Sequence, residues 1–188
     1  MRLLILLALS LFLTACAPAE MPVLREQAAA RWGDVMARYD ARANLAPIMI
    51  AIVRRYAARE NDALIEVADA RRTALHFNMG PDPSEDPEGF ARYVRVQERL
   101  DRSVARLIEI TTYYRDSGEN QNLKTVLDQW RTAQAAVVMA QTGYDGAARL
   151  YNDHLSGLKG RWWARLGGRH HRAPMPLFAD LPPPPAAI

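Results

Sequence analysis

Apolar side chains recur at steps of three and four residues along most of the chain. The clearest series runs from Leu123 to Leu158 and continues unbroken for about five heptads, which is typical of a long helix packed against other helices at coiled-coil angles. Strand-like alternation is nearly absent between residues 23 and 158. The pattern therefore predicts an all-α protein.

Clusters of glycine, proline and asparagine divide this region into four predicted helices, at about 23–43, 44–77, 84–117 and 123–158. Asn44 is a suitable N-cap for the second helix, with Pro47 inside its first turn and Ile48 on its apolar stripe. Gly143 and Gly146 in the fourth helix indicate a close backbone approach or a slight bend. Because short connections make neighbouring helices antiparallel, we expect an elongated antiparallel up-down four-helix bundle.

The chain begins with an apolar run at residues 3–13, preceded by Arg2 and followed by Thr14, Ala15 and Cys16. These features are typical of an export signal. The apolar run is too short for a stable transmembrane span. Leu13-Thr14-Ala15-Cys16 resembles a bacterial lipobox, which implies cleavage before Cys16 and acylation of this cysteine, including palmitate. A plain signal peptide or an uncleaved anchor is the alternative interpretation.

We therefore expect a signal peptide at 1–15, a tether at 16–22, the bundle at 23–158 and a tail at 159–188. Cleavage would lower the formal net charge from +3 to +2, too little to attract nucleic acid, and no nucleic-acid partner is predicted. Ala17 resembles the residue after the cysteine in lipoproteins sorted to the outer membrane. The periplasmic face of that membrane is therefore favoured over the inner membrane.

An even number of up-down helices returns the chain to its anchored end. Arg161, Trp162, Trp163 and Arg165 would then lie at the lipid surface, where tryptophans and cations suit the headgroup region. The tryptophans equally suit a cap on the base of the bundle core. The proline-rich remainder is predicted to be extended or disordered outside the bundle.

A series of motifs follows in order along residues 23–178. They are Arg42-Ala43-Asn44-Leu45-Ala46-Pro47, Tyr56-Ala57-Ala58-Arg59-Glu60, Ala68-Asp69-Ala70-Arg71, Asn122-Leu123, Tyr144-Asp145 with Tyr151-Asn152, and Pro174-Met175-Pro176-Leu177-Phe178. In order and spacing they resemble the LemA family of membrane-anchored bacterial helical proteins. The resemblance implies a helical bundle facing out from a membrane and no established chemistry.

The chain departs from the pattern of this family at two positions. Gln134 stands where the family usually has Glu, and Gln141 stands where it usually has Arg. We interpret the two amides as a neutral hydrogen-bonding pair that avoids the desolvation cost of buried ions. Together with Gln97 they are interpreted as polar layers that fix helix register. Asp145 also replaces the usual Asn.

Patterns that mark catalytic and metal sites are missing from the sequence. It contains no Glu-x-x-His, no Gly-x-Ser-x-Gly and no glycine-rich phosphate loop followed by Lys and Ser or Thr. Asp82, Glu85, Asp86 and Glu88 suit the start of a helix better than a calcium loop. We predict no catalytic residue, no metal site and no cofactor.

The leading hypothesis is a lipid-anchored, non-enzymatic scaffold or adaptor that contacts an envelope protein through an exposed helix face. Homo-oligomerisation is compatible with this role. The alternative is a bundle that senses a small molecule or envelope polymer in a seam lined by Tyr56, Gln134, Gln141, Tyr144 and Tyr151. Core packing is the simpler interpretation of these tyrosines.

Overall fold

The computed structural model describes residues 20–55, 59, 61–112, 120–157 and 173–182. These residues form helices and turns, without a strand, which confirms the predicted all-α class. The α-helices are α1 (Glu20–Ala43), α2 (Ala46–Arg54), α3 (Asn61–His76), α4 (Pro87–Thr112) and α5 (Asn120–Ser156). Short 3-10 turns cover Pro83–Glu85 and Phe178–Asp180.

α1 and α2 form one column with a two-residue interruption before Pro47. The N–H of Asn44 still donates to the carbonyl of Asp40 at 3.0 Å, and Leu45 keeps a helical conformation. Pro47 has no N–H for the carbonyl of Ala43, and its ring disfavours the helical conformation of the preceding residue. The predicted helix start at Asn44 is therefore an interruption within a column rather than a reversal of the chain.

The inward face of α2 continues the face of α1. Tyr39, Arg42, Ala46, Met49 and Val53 are all buried and follow one another at steps of three or four. The predicted stripe of α2 is wrong at Ile48, which is 49% exposed. The prediction fails here because it starts a separate helix at Asn44, with its own inward-facing positions, instead of continuing the inward face of α1.

A single predicted helix over residues 44–77 is also wrong. α2 ends at Arg54 and α3 begins at Asn61, and the two pack against each other. The column therefore reverses direction after α2, about ten residues later than the sequence pattern predicts.

α5 runs antiparallel to α1. The ring of Trp32 lies 5.7 Å from that of Tyr144, whereas Arg42, later in α1, bonds to Gln134, earlier in α5. We call the end where α1 begins and α5 ends the base of the bundle, and the opposite end the top. At the base, Leu24 and Leu155 join the same apolar cluster.

α4 runs from base to top, parallel to α1. Trp32 contacts Phe90 and the later Arg42 contacts the later Asp101. α3 packs beside α4 and descends from the top. With α1 and α2 counted as one column, the described helices follow the predicted up-down order of four columns.

α3 fills its column only in the upper part of the bundle, and residues 77–86 continue from it to the base. The indole N–H of Trp32 donates to the carbonyl of Gly80 at 3.1 Å. Arg25, near the start of α1, forms ion pairs with Asp82 and, at 3.3 Å, with Glu85. These bonds fix the non-helical part of the column to α1.

Residues 173–182, which we call the clasp segment, pack against α5 in the lower part of the bundle. The side-chain amide of Asn152 donates to the carbonyl of Met175 at 2.9 Å and accepts from its N–H at 2.8 Å. Met175 is only 2% exposed, and the ring of Phe178 lies 4.9 Å from that of Phe90. The sequence pattern predicts that this segment lies outside the bundle, which is wrong because its apolar side chains complete the core below α3.

Replacing Asn152 with alanine tests the attachment of the clasp segment. The change Asn152→Ala leaves the N–H and carbonyl of Met175 without their partners in a partly buried place, so we expect a loss of about 1–3 kcal/mol in the free energy of unfolding. Urea unfolding measures this loss. The control Asn122→Ala, at an exposed position of α5, should change stability by less than about 0.5 kcal/mol. Equal effects of the two changes would contradict the attachment.

Candidate functional site

The interior of the bundle is divided into two apolar cores. The upper core is built from α2, α3 and the upper parts of α4 and α5. The lower core is built from α1, the lower parts of α4 and α5, and the clasp segment, and it is rich in aromatic rings. Trp32 lies near its centre, with ring centroids 5.4 Å from Phe90, 5.4 Å from Tyr93 and 5.7 Å from Tyr144.

A buried arginine lies at the boundary between the two cores. The side chain of Arg42 is 0% exposed. Its Nη1 lies 2.6 and 2.8 Å from the two carboxylate oxygens of Asp101 and also donates to Oε1 of Gln134. Its Nη2 donates to the side-chain and backbone oxygens of Gln97 at 3.3 and 3.4 Å. One guanidinium therefore connects α1, α4 and α5 at a single level, which we call the Arg42 layer.

The electrostatics of the Arg42 layer balance one buried cation against one carboxylate. Burial raises the pKa of Asp101 above its ordinary value, and the charge and hydrogen bonds of Arg42 oppose that rise. The guanidinium carbon also lies 4.9 Å from the ring centroid of Tyr39 and 5.5 Å from that of Trp130, within cation–π range. Such a site stabilises one alignment of the helices, because a shifted alignment would leave a buried charge unpaired.

Gln141 lies below the Arg42 layer on α5. Its Nε2 donates to the hydroxyl of Tyr39 at 2.6 Å, whereas Gln134 accepts from Arg42. The predicted neutral pair between Gln134 and Gln141 is therefore wrong, since the two amides have different partners. The structure retains a buried ion at this level, and α1 supplies it.

Arg71 of α3 compensates for the missing N–H of Pro47. In a regular helix the N–H four residues later would bond to the carbonyl of Ala43, but proline has none. The Nε of Arg71 donates to that carbonyl at 3.1 Å, and its Nη2 donates to Oδ1 of Asn44 at 3.1 Å. Two of the sequence motifs thus meet at the interruption between α1 and α2.

Tyr144 and Asp145 hold the clasp segment. The hydroxyl of Tyr144 donates to the carbonyl of Pro176 at 2.8 Å, and burial raises the pKa of this phenol so that the proton stays in place. The carboxylate of Asp145 accepts the backbone N–H groups of Phe178 at 2.9 Å and Ala179 at 3.0 Å. Hydrogen bonds to a charged acceptor are stronger than neutral ones, so Asp145 is a firm attachment point.

The structure places four of the predicted seam residues along the inner face of α5. Tyr144 and Tyr151 are buried in the lower core, and the amides of Gln134 and Gln141 are bonded within the chain. The other predicted site residues lie outside the described ranges: Cys16, Tyr56, Arg161, Trp162, Trp163 and Arg165.

The structure also gives Arg42, Asp101 and Arg71 contacts that the sequence interpretation does not assign: it names Arg42 and Arg71 only as members of motifs and does not name Asp101. Arg42 has a detectable signal, because it continues the three-and-four spacing from Tyr39 to Ala46 and is a charged residue in an apolar stripe. Asp101 has no comparable signal, and the motif that contains Arg71 does not indicate its partner, since the partners of both residues are distant in sequence.

A family model described as the LemA family matches residues 31–179 of the chain. The chain belongs to the LemA family. The predicted resemblance is therefore confirmed, and the match extends to the clasp segment, which the structure shows to be part of the bundle. A comparison with curated proteins finds no match.

Several of the LemA motifs supply internal contacts of the bundle. One motif supplies Arg42 and Asn44, another supplies Arg71, and the Tyr-Asp and Tyr-Asn pairs supply Asp145 and Asn152. Among the described residues, no group of three His, Cys, Asp or Glu side chains could hold a metal ion. No described helix is long and apolar enough to cross a membrane.

Replacing Arg42 with methionine tests the Arg42 layer. The change Arg42→Met keeps a long side chain but removes the cation, so we expect a loss of about 3–5 kcal/mol in the free energy of unfolding near neutral pH. The control Arg38→Met, at an exposed position one turn earlier, should cost less than about 0.5 kcal/mol. A variant as stable as the unmodified chain would contradict this account.

The same variant should change the pH dependence of stability. Without Arg42 the pKa of Asp101 rises further, because the charge and hydrogen bonds of Arg42 lower this pKa whereas burial, which raises it, remains. The folded variant then holds this proton to higher pH than the unfolded chain, so its stability falls as the pH rises above the ordinary value of 3.8. Unfolding at several pH values should show a deficit relative to the unmodified chain that grows with pH. A constant deficit would contradict the coupling of Arg42 to Asp101.

Proposed function

We propose that this LemA-family chain is a bacterial envelope lipoprotein that acts as a non-enzymatic scaffold or adaptor. The observation that carries the proposal is the internal use of the motif residues. Arg42, Arg71 and Asp145 each direct their charged groups to partners within the chain. Because these residues bond within the chain, they stabilise a rigid bundle. A partner protein would therefore be recognised by other residues, on the surface of the bundle.

The position of the start of α1 supports a lipid anchor at the base of the bundle. α1 begins at Glu20, four positions after Cys16, and Met21 packs against the lower core. α5 ends at the same end of the bundle, with Leu155 in that core. We propose that acylated Cys16 holds the base against the periplasmic face of the outer membrane. Residues 20–54 would then extend roughly 50 Å from it at 1.5 Å per residue.

An exposed apolar face of α5 supports the adaptor role. Val138, Met139 and Leu150 are 51%, 75% and 60% exposed. A side chain at Gly143 or Gly146 would meet nothing within 4 Å, so the predicted close approach to these glycines does not occur within the described chain. Met139 and Leu150 lie about three turns apart on one side of α5, with Gly146 between them, and exposed apolar patches of this kind mark protein contact sites.

The sensing alternative has weaker support. In that hypothesis Tyr144 contacts the ligand, but its hydroxyl donates to Pro176 and its side chain is fully buried. Gln134 and Gln141 are likewise bonded to Arg42 and Tyr39. A ligand would have to displace these internal bonds, and each would cost free energy.

Changing Cys16 to serine tests the anchor. The unmodified chain should sediment with the membrane fraction, and Cys16→Ser should be released, because each buried CH₂ of an acyl chain contributes about 0.8 kcal/mol of membrane affinity. Mass spectrometry of the N-terminal peptide should also show the acyl groups on Cys16. A peptide that retains residues 1–15, or a serine variant that stays in the membrane, would contradict lipid anchoring.

A further inference from the structure

A basic groove runs between α2 and α3 at the top of the bundle, with a volume of about 550 Å³. Four of its lining residues are apolar, and we call them its floor: Pro47, Ile50 and Ala51 from α2 and Ala68 from α3. The other four lining residues are basic, and we call them its rim: Arg54, Arg71, Arg72 and His76. The groove therefore combines an apolar surface with a border of cations.

Nearby acidic groups do not neutralise the rim. Among the described residues no carboxylate lies within ion-pair distance of Arg54, and Arg72 pairs only with Asp69, at 3.1 Å on the surface. Exposed pairs of this kind are weak, so Arg72 remains available. His76 bonds to the carbonyl of Arg72 at 2.8 Å through Nδ1 alone. The groove thus carries an excess of positive charge.

Two exposed isoleucines lie one helical turn from lining residues of the groove. Ile65 lies one turn before Ala68 on α3 and is 49% exposed. Ile48 lies one turn before Ala51 on α2 and is also 49% exposed. Two large exposed aliphatic side chains beside a cationic rim favour an occupant that is both apolar and acidic.

We propose that this groove binds an acidic amphipathic helix of a partner protein. The proposal rests on the adaptor function proposed above and names the chemistry of its partner. Apolar side chains of the partner, one turn apart, would cover Ile50, Ala51 and Ala68, while its carboxylates would face Arg54 and Arg72. The two antiparallel helices α2 and α3 offer the cleft into which a third helix packs in helical bundles.

Charge complementarity and position favour this occupant over other anions. A polyanionic sugar or a phosphate group would contact the arginines but leave the apolar floor exposed to water. Lipid headgroups would meet the base of the bundle, whereas the groove lies at the top, next to the end of α2. An acidic amphipathic helix would cover the apolar floor and also pair its carboxylates with the arginines of the rim.

The test measures binding of a synthetic peptide to the full chain held in phosphatidylcholine nanodiscs, with empty nanodiscs as the reference. The peptide forms about four helical turns, with leucines on one face and glutamates beside them. A second peptide has the same composition with the leucines distributed around the helix. We expect the first peptide to bind at least about tenfold more tightly, because only it can cover the floor with one face.

Two matched double variants locate the binding. Arg54→Glu with Arg72→Glu reverses the rim and should weaken binding by at least about tenfold. Arg95→Glu with Arg99→Glu makes the same change in net charge at exposed positions of α4 and should weaken it by less than about threefold. Arg54→Gln with Arg72→Gln is the milder version and should give an intermediate loss. Circular dichroism and thermal unfolding establish that each variant is folded.

Three results would overturn the proposal. Equal losses from the two glutamate variants would mean attraction by net charge alone. Equal binding of the two peptides, or equally tight binding of heparin, would mean that the floor is not used. Unchanged peptide binding by the rim variant would place the partner elsewhere on the chain and leave the adaptor function intact. The adaptor function fails separately if crosslinking in the native envelope finds no neighbouring protein.

Discussion

The guanidinium of Arg42 lies in the interior of the bundle, with Asp101 as its counter-charge and Gln97 and Gln134 as its further acceptors. These partners come from α4 and α5, so the position of one side chain constrains three helices at once. A slip of one helical turn, about 5.4 Å, would leave the cation buried without a carboxylate. An apolar seam alone tolerates such slips far better than a buried charge does, which is how a polar layer specifies register.

The Arg42 layer also explains the division of the interior. Above it the bundle has a mainly aliphatic core around α2 and α3, and below it an aromatic core closed by residues 77–86 and the clasp segment. Arg71 and Asp145 each supply bonds to backbone groups in places where the helical pattern is interrupted or absent. These residues of the LemA motifs therefore stabilise the bundle at places where its columns are not continuous helices. This use of the motif residues is why the proposed function is assigned to the surface.

The sequence predicts the parts of the fold that depend on local patterns. The unbroken repeat of α5 and the turn residues before α4 give helices close to Asn120–Ser156 and Pro87–Thr112. The helix α4 is predicted from residue 84 but begins at Pro87, where the Asp86 carboxylate accepts the N–H of Gly89 at 2.7 Å. A Cβ at Gly89 would clash with that carboxylate, so a larger residue there would require the Asp86 side chain to move from its capping position.

Features that depend on distant contacts are harder to predict. Pro47 fits both the start of a new helix and an interruption in a continuing one, and only Arg71, which bonds to the carbonyl of Ala43, favours the second. The clasp segment has a composition typical of a tail, and its burial requires the cavity left below α3. The rim of the groove draws its cations from both α2 and α3 and becomes visible only when these helices lie side by side.

Native-state amide hydrogen exchange of the full chain tests the central role of the Arg42 layer most directly. If the layer joins the two cores into one unit, amides beside Val35 in the lower core and Leu64 in the upper core should exchange through the same global opening. The amide of Phe178, which Asp145 holds, should follow them. We expect one common free energy of opening and one dependence on denaturant. Two groups of amides with different free energies of opening, in which one core opens while the other remains protected, would contradict the account.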